Sequence, residues 1–180
     1  MKMRTKMLTA TAMGIALFAA LSLCLQVPVF ENYYLCLGYV VMAVCCYCFG
    51  AVSGCLTGSL GVVLLCVINN GLRGMPGWAL GNLVIGAVLG LTFGKTKRLS
   101  NRPAALCLNA LAVVLSVAVG ILGVKSLTEC ILYTQPFFVR AAKNTAAAIA
   151  DVFMLLVSLP ICMFLDPVIE RIFSEERRKT

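Results

Sequence analysis

Apolar runs of roughly twenty residues recur along this chain, and its Lys and Arg residues fall in short clusters between them. About twenty apolar residues make a helix long enough to cross the ~30 Å hydrocarbon core of a bilayer. Within that core every backbone N–H and C=O must be paired inside the protein, which selects helices for runs of this kind. Composition agrees: of 180 residues, 61% are hydrophobic and 12% charged, where a soluble domain carries about 25% charged residues. Mean hydropathy is +0.98. The expected fold is therefore an all-α integral membrane protein, a six-transmembrane-helix bundle forming a single membrane domain over residues 1–180.

The runs set the expected spans at 7–27, 34–49, 54–68, 78–93, 104–124 and 137–165. Pro28 ends the first, and a loop over Pro28–Tyr33 follows. The loop NNGLRGMPG over Asn69–Gly77 separates the third span from the fourth, its glycines and proline excluding regular helix. The stretch Lys125–Pro136 is mixed in character and is expected to fold over the outer surface. The first run is too long for the apolar segment of a signal peptide and has no small-residue cleavage site after it, so it reads as a retained span.

Orientation follows from the basic residues. With the N-terminus inside, the inner segments hold Lys2, Arg4, Lys6, Lys95, Lys97, Arg98, Arg102, Arg171, Arg177, Arg178 and Lys179, eleven in all. The outer segments hold four: Arg73, Lys125, Arg140 and Lys143. Basic residues favour the cytoplasmic side, so both ends are expected inside. This pattern also accounts for the net charge of +8 without a nucleic-acid partner.

Catalysis and metal binding find little support. The chain has no histidine, which removes His-based triads and HExxH zinc sites. Nearly all of the ten cysteines lie inside apolar runs and read as small packing residues. The segment GLTFGKT over Gly90–Thr96 has three residues between its glycines, whereas a phosphate-binding loop needs four and a preceding strand. No enzyme activity, metal or cofactor is expected of this chain.

Two patterns remain. The first is small residues four apart, which share a helix face and allow close approach: Gly50, Gly54 and Gly58; Gly77 and Gly81; Gly86, Gly90 and Gly94; and, in the first span, Ala12, Ala16 and Ala20. The glycine series suit internal packing, and the alanine stripe suits either packing or a docking partner. The second is polar side chains in the outer halves of the spans. Asp151 lies within the last span, where an ionisable group is costly and marks a candidate functional site. Asn144 lies seven residues earlier on the same face, and Arg140 near it. Trp78 and Asn82 are one turn apart, and Tyr39 lies about a turn inside the second span. With Arg73 in the loop above, these residues suit a small polar ligand that stacks on Trp78. Glu31 and Glu129 read as solvated loop charges. Arg73, Arg140 and Lys143 lean the expectation toward an anionic ligand such as pantothenate.

The chain resembles the substrate-binding S component of energy-coupling factor (ECF) vitamin transporters. The resemblance rests on the alanine stripe, the LGY at Leu37–Tyr39, the FGAVSGCLTGSLG block over Phe49–Gly61, and GWALGNLVIGAVLGL over Gly77–Leu91 before a basic turn. It covers nearly all of the chain. Where the family commonly has LGD, this sequence has Tyr39. The resemblance implies capture of a water-soluble vitamin or precursor from outside a prokaryotic cell. It implies a transmembrane coupling subunit and two ATP-binding subunits as partners, with ATP used by those subunits alone. In the family the alanine stripe faces the coupling subunit, and ligand contacts fall at positions matching Arg73, Trp78, Asn82, Asn144 and Asp151. Two other classes remain open: a membrane assembly or regulatory subunit without a ligand, and a stand-alone proton-coupled carrier using Asp151.

Overall fold

A computed structural model describes residues 2–24, 27–30, 33–69, 71–72, 74–99 and 101–178. Among them the chain is almost wholly helical. Helix α1 spans Lys2–Cys24, α2 Gly38–Phe49, α3 Ala51–Ile68 and α4 Met75–Thr96. Helix α5 runs over Arg102–Tyr133 and α6 over Phe137–Arg178. Strands β1 (Val27–Phe30) and β2 (Tyr33–Leu35) form a short antiparallel hairpin between α1 and α2. Successive helices alternate in direction, so the hairpin, the α3–α4 loop and the α5–α6 turn share one end. The basic turn after α4 lies at the other.

Five helices are long and apolar enough to cross a membrane: Thr5–Cys24 of α1, α3, α4, α5, and Phe137–Ile169 of α6. Helix α2 differs from expectation. It has 12 residues, a length of about 18 Å at 1.5 Å per residue, which is short of the ~30 Å hydrocarbon core. The residues expected to begin its span form β2 instead. The sequence VPVF followed by YYL is rich in residues that favour strands, and pairing the two strands satisfies backbone groups that an open loop would leave bare.

The mixed stretch after the fifth span also differs. Helix α5 continues through it to Tyr133 by way of a widened π segment over Ala118–Lys125. The chain turns at Thr134, which takes the left-handed conformation at φ 52°, and α6 starts at Phe137. Helix α6 runs through Pro160 and Pro167 without ending.

Burial is arranged as a bilayer requires. Phe18, Met42, Ile85, Leu89, Val113 and Leu155 are enclosed between helices. Large apolar side chains such as Leu8, Val52, Leu91, Phe138 and Phe164 point outward, where in water they would be an aggregation hazard and in lipid they are solvated. Without a hydrophobic force between helices in lipid, association relies on close packing and interhelical hydrogen bonds. Helices α3 and α4 show the close packing. A methyl group built on Gly86 would lie 2.7 Å from the Cys55 backbone nitrogen, so the backbones meet only because that side chain is absent. Cys55 of α3 and Cys46 of α2 donate weak hydrogen bonds to the α4 carbonyls of Leu83 and Gly86 respectively, consistent with their reading as packing residues. The Gly90–Thr96 segment is the last turns of α4 and forms no phosphate-binding loop.

At the basic end, Lys97 pairs with Asp166 and lies 4.5 Å over the Tyr47 ring. Thr96 donates to Asn109 at 2.7 Å. These contacts tie α4 to α2, α5 and α6 there. A bulky residue at Gly86 should therefore separate α3 from α4: Gly86→Leu is expected to cost about 1–3 kcal/mol or more by overpacking. Gly94→Ala, with nothing within 4 Å of the added methyl, should melt like the parent. Thermal unfolding in detergent checks both, and equal melting of the two variants would contradict this packing.

Candidate ligand-binding site

The site is built around the Tyr39 hydroxyl. Tyr39 lies in the first turn of α2 and is fully buried. Trp78 and Asn82 come from the first two turns of α4, one turn apart, so both side chains face α2. Asp151 comes from the middle of α6. The Trp78 Nε1–H donates to the Tyr39 oxygen at 3.0 Å. That oxygen also lies 3.0 Å from Asn82 Oδ1 and 2.9 Å from Asp151 Oδ2. The Asn82 Nδ2 donates to the Gly58 carbonyl of α3 at 3.3 Å, which fixes the amide with its oxygen toward Tyr39.

Counting donors exposes a shortage. One hydroxyl hydrogen faces two acceptor oxygens, so at any instant one of them lacks that partner. Buried acceptors left short of a donor are costly. A ligand bringing an N–H or O–H to this cluster would complete it.

A second polar cluster lies nearer the hairpin end. Asn144 of α6 donates to Ser126 Oγ at 3.0 Å and to Glu129 Oε2 at 3.1 Å. Arg140 lies 3.8 Å from Glu129 Oε2, and its guanidinium stacks 5.2 Å from the Tyr133 ring centre. Its Nε is buried without a hydrogen-bond partner. Lys125 is buried, with its ammonium 6.0 Å from the Trp78 ring centre, and so links the two clusters. Beside Glu129 and Arg140 opens a cleft of about 540 Å³, lined also by Tyr133, Thr134 and Gln135.

The π segment sets this second cluster. A π turn holds more residues than an α turn, so it rotates everything after it relative to a continuous α-helix. Here the rotation brings Lys125, Ser126 and Glu129 inward, while Leu127 and Ile131 face outward. The segment also lets α5 approach α4 closely: a methyl on Gly81 would lie 2.7 Å from the Gly120 carbonyl oxygen.

Of the residues the sequence singled out, Tyr39, Trp78, Asn82 and Asp151 form the inner cluster, and Arg140 and Asn144 the outer one. Arg73 lies outside the described residues. Lys143 is exposed and joins neither cluster. Glu129, expected as a solvated loop charge, is 5% exposed and bonded to Asn144, because the helix continues where a surface loop was expected. Lys125 and Ser126 were missed for the same reason. The signal was available: Lys125, Ser126 and Glu129 lie on one helical face, with Leu127 and Ile131 on the other. Ala12, Ala16 and Ala20 are all exposed along α1, whereas Phe18, Ala19 and Ser22 are buried. The stripe is thus unused in the packing of this bundle.

A multi-pass helical membrane bundle with a buried polar cluster near one end and an uncovered small-residue face is the form of a membrane-embedded substrate-binding subunit. The family model described as ECF-type riboflavin transporter, S component, matches residues 2–166, and the chain belongs to that family. It is the substrate-binding subunit of an ECF-type vitamin importer, a transporter family and not an enzyme family, and membership implies association with an ECF module. No curated protein matches the chain significantly.

Removing the hub should be costly. Tyr39→Phe leaves the Trp78 N–H, Asn82 Oδ1 and Asp151 Oδ2 without their common partner, and about 1–3 kcal/mol of stability should be lost. Melting in detergent reads this loss; unchanged melting would show that the hydroxyl holds nothing together. Deleting Val119, a lipid-facing residue of the π segment, should rotate the outer part of α5 by about 100° and turn Glu129 away from Asn144. Cysteine accessibility at position 129 in a Glu129→Cys background would then rise from protected to lipid- or solvent-exposed, and continued protection would contradict the assigned role of the π segment.

Proposed function

We propose that the chain binds riboflavin at the hairpin end of the bundle and delivers it to the ECF module. The observation that carries this reading is the Trp78–Tyr39–Asn82–Asp151 cluster. It offers an aromatic face beside an amide and a carboxyl, with acceptors in excess of donors. The isoalloxazine ring of riboflavin is a large flat π system whose imide edge carries one N–H between two carbonyls. Stacking on Trp78 and hydrogen bonding of that edge to Asn82 and Asp151 would use both features. Arg140 and Asn144 complete the contacts among the described residues, and Arg73 is proposed as a further ligand contact.

Charge balance favours a neutral vitamin over an anionic one. Around the two clusters the described charged residues are Lys125 and Arg140 against Glu129 and Asp151, two cations and two anions. Among the described residues these charges cancel, which supports a neutral ligand over a carboxylate such as that of pantothenate. In this reading the single membrane domain crosses the cell membrane of a prokaryote six times, with α2 and the hairpin together filling the second crossing and both ends in the cytoplasm. The eleven-to-four distribution of basic residues supports that orientation.

The exposed stripe of Ala12, Ala16 and Ala20 is the docking face for the coupling subunit, which in turn carries two ATP-binding subunits. This chain uses no ATP itself. Two measurements test the assignment. The purified chain should quench riboflavin fluorescence saturably at one ligand per chain, and pantothenate should not compete. Ala16→Leu should leave that binding in place and lower riboflavin uptake by about tenfold or more, because bulk on a small-residue face blocks helix approach. Persistence of uptake in that variant would remove the docking role, and failure to bind riboflavin would remove the ligand.

A further inference from the structure

The donor shortage around Tyr39 can be met by the chain itself. Two oxygens approach the Tyr39 hydroxyl, Asn82 Oδ1 at 3.0 Å and Asp151 Oδ2 at 2.9 Å. Oxygens this close are at hydrogen-bond distance, and each contact needs a hydrogen on the line between its two atoms. Tyr39 supplies one hydrogen. A donor arriving from any other direction does not help, because it puts no hydrogen on either line. Asn82 cannot supply the second, since its amide nitrogen is turned to the Gly58 carbonyl at 3.3 Å. Asp151 can supply it as a carboxylic acid. Trp78 and Asp151 then both donate to the Tyr39 oxygen, Tyr39 donates to Asn82, and Asn82 donates to Gly58. We propose that Asp151 holds a proton until a ligand arrives and releases it on binding, so that capture is linked to the loss of one proton. The exchange rests on the riboflavin reading, whereas the proton itself rests on the Tyr39 geometry alone.

The surroundings of Asp151 suit both states. The residue is buried, and a neutral acid avoids the cost of a carboxylate enclosed among helices. Among the described residues, the titratable groups facing it are Tyr39 of α2, Cys36 just before α2, and Lys125 from the π segment of α5. Helix α4 presents Trp78 and Asn82, and α1 reaches the hub through Phe18. Lys125 also faces Glu129, one turn further along α5, so its charge is balanced while Asp151 is neutral. When the imide N–H of the ligand donates to the Asp151 oxygen, hydrogens match acceptors without the acidic proton. The O–H bond of Asp151 then breaks, the proton passes to water at the hairpin end, and the ligand N–H stays intact as a donor. The carboxylate left behind faces that N–H and Lys125. This is the state in which the charges of the two clusters cancel, as they should around a neutral ligand.

Infrared spectroscopy of the purified full-length chain at neutral pH, before riboflavin is added, reads the proton directly. The parent should show the carbonyl stretch of a protonated carboxylic acid, and Asp151→Asn, which keeps a donor toward Tyr39, should lack it. Adding riboflavin to the parent should remove the band. Absence of the band from the parent overturns the proposal whether or not riboflavin binds, and so does a band that survives unchanged in Asp151→Asn. The pH profile of riboflavin affinity, read by flavin fluorescence quenching, tests the exchange on the parent alone and stands even if Asp151→Asn does not fold. The bound state holds one proton fewer, so affinity should fall as pH falls, by up to about tenfold per pH unit. Asp151→Asn should flatten that profile, whatever it does to affinity itself. A parent affinity that is independent of pH, or that rises as pH falls, overturns the exchange. A chain that binds no riboflavin removes the riboflavin reading and the exchange with it, and the infrared band still decides whether Asp151 holds the proton.

Discussion

A single phenolic hydroxyl joins three of the helices in this bundle. Tyr39 brings α2 into hydrogen bonding with α4 through Trp78 and Asn82, and with α6 through Asp151. Asn82 extends the same network to the backbone of α3 at Gly58. In lipid these contacts matter because apolar side chains gain little by leaving one hydrocarbon environment for another. Polar groups buried among the helices must find partners inside the protein, and here three of them converge on the Tyr39 oxygen. A cluster so composed is also poised to exchange partners, because its acceptors outnumber the hydrogens supplied to them.

The proposed binding end and the proposed docking face are close neighbours. Phe18 of α1 packs edge-on against Tyr39, with ring centres 6.0 Å apart. Ala16 and Ala20 flank Phe18 in sequence and point the other way, outward. One helix therefore carries the small-residue stripe on its outer side and a direct contact with the hub residue on its inner side. A partner seated on the stripe would lie a single helix diameter from the ligand cluster.

Much of this was legible in the sequence, for identifiable reasons. The long apolar runs and the basic clusters between them follow from the thickness and charge preference of a bilayer, and both survive without tertiary information. Helical spacing put Trp78 with Asn82, and Asn144 with Asp151, on shared faces. Some of what escaped was decided by tertiary contacts or by turns without a sequence signature, while the shared helical face of Lys125, Ser126 and Glu129 was present in the spacing. The apolar stretch from Tyr34 onward reads equally as helix or strand, and the hairpin was settled by pairing with Val27–Phe30. The π segment over Ala118–Lys125 leaves no mark in composition, yet it determines which side chains of α5 face inward. Lys125 and Glu129 thereby moved from an expected surface loop to the interior. Tyr39 stood out as a departure from its family's usual residue, and only the packed bundle gave it three partners.

Trp78 is the chain's single tryptophan, so its emission reports on the site alone. Titrating the purified chain with riboflavin while exciting Trp78 tests the central claim most directly. The account predicts saturable quenching of that emission at one riboflavin per chain, with no response to pantothenate. Trp78 emission that stays constant while riboflavin binds would put the ligand elsewhere and contradict it.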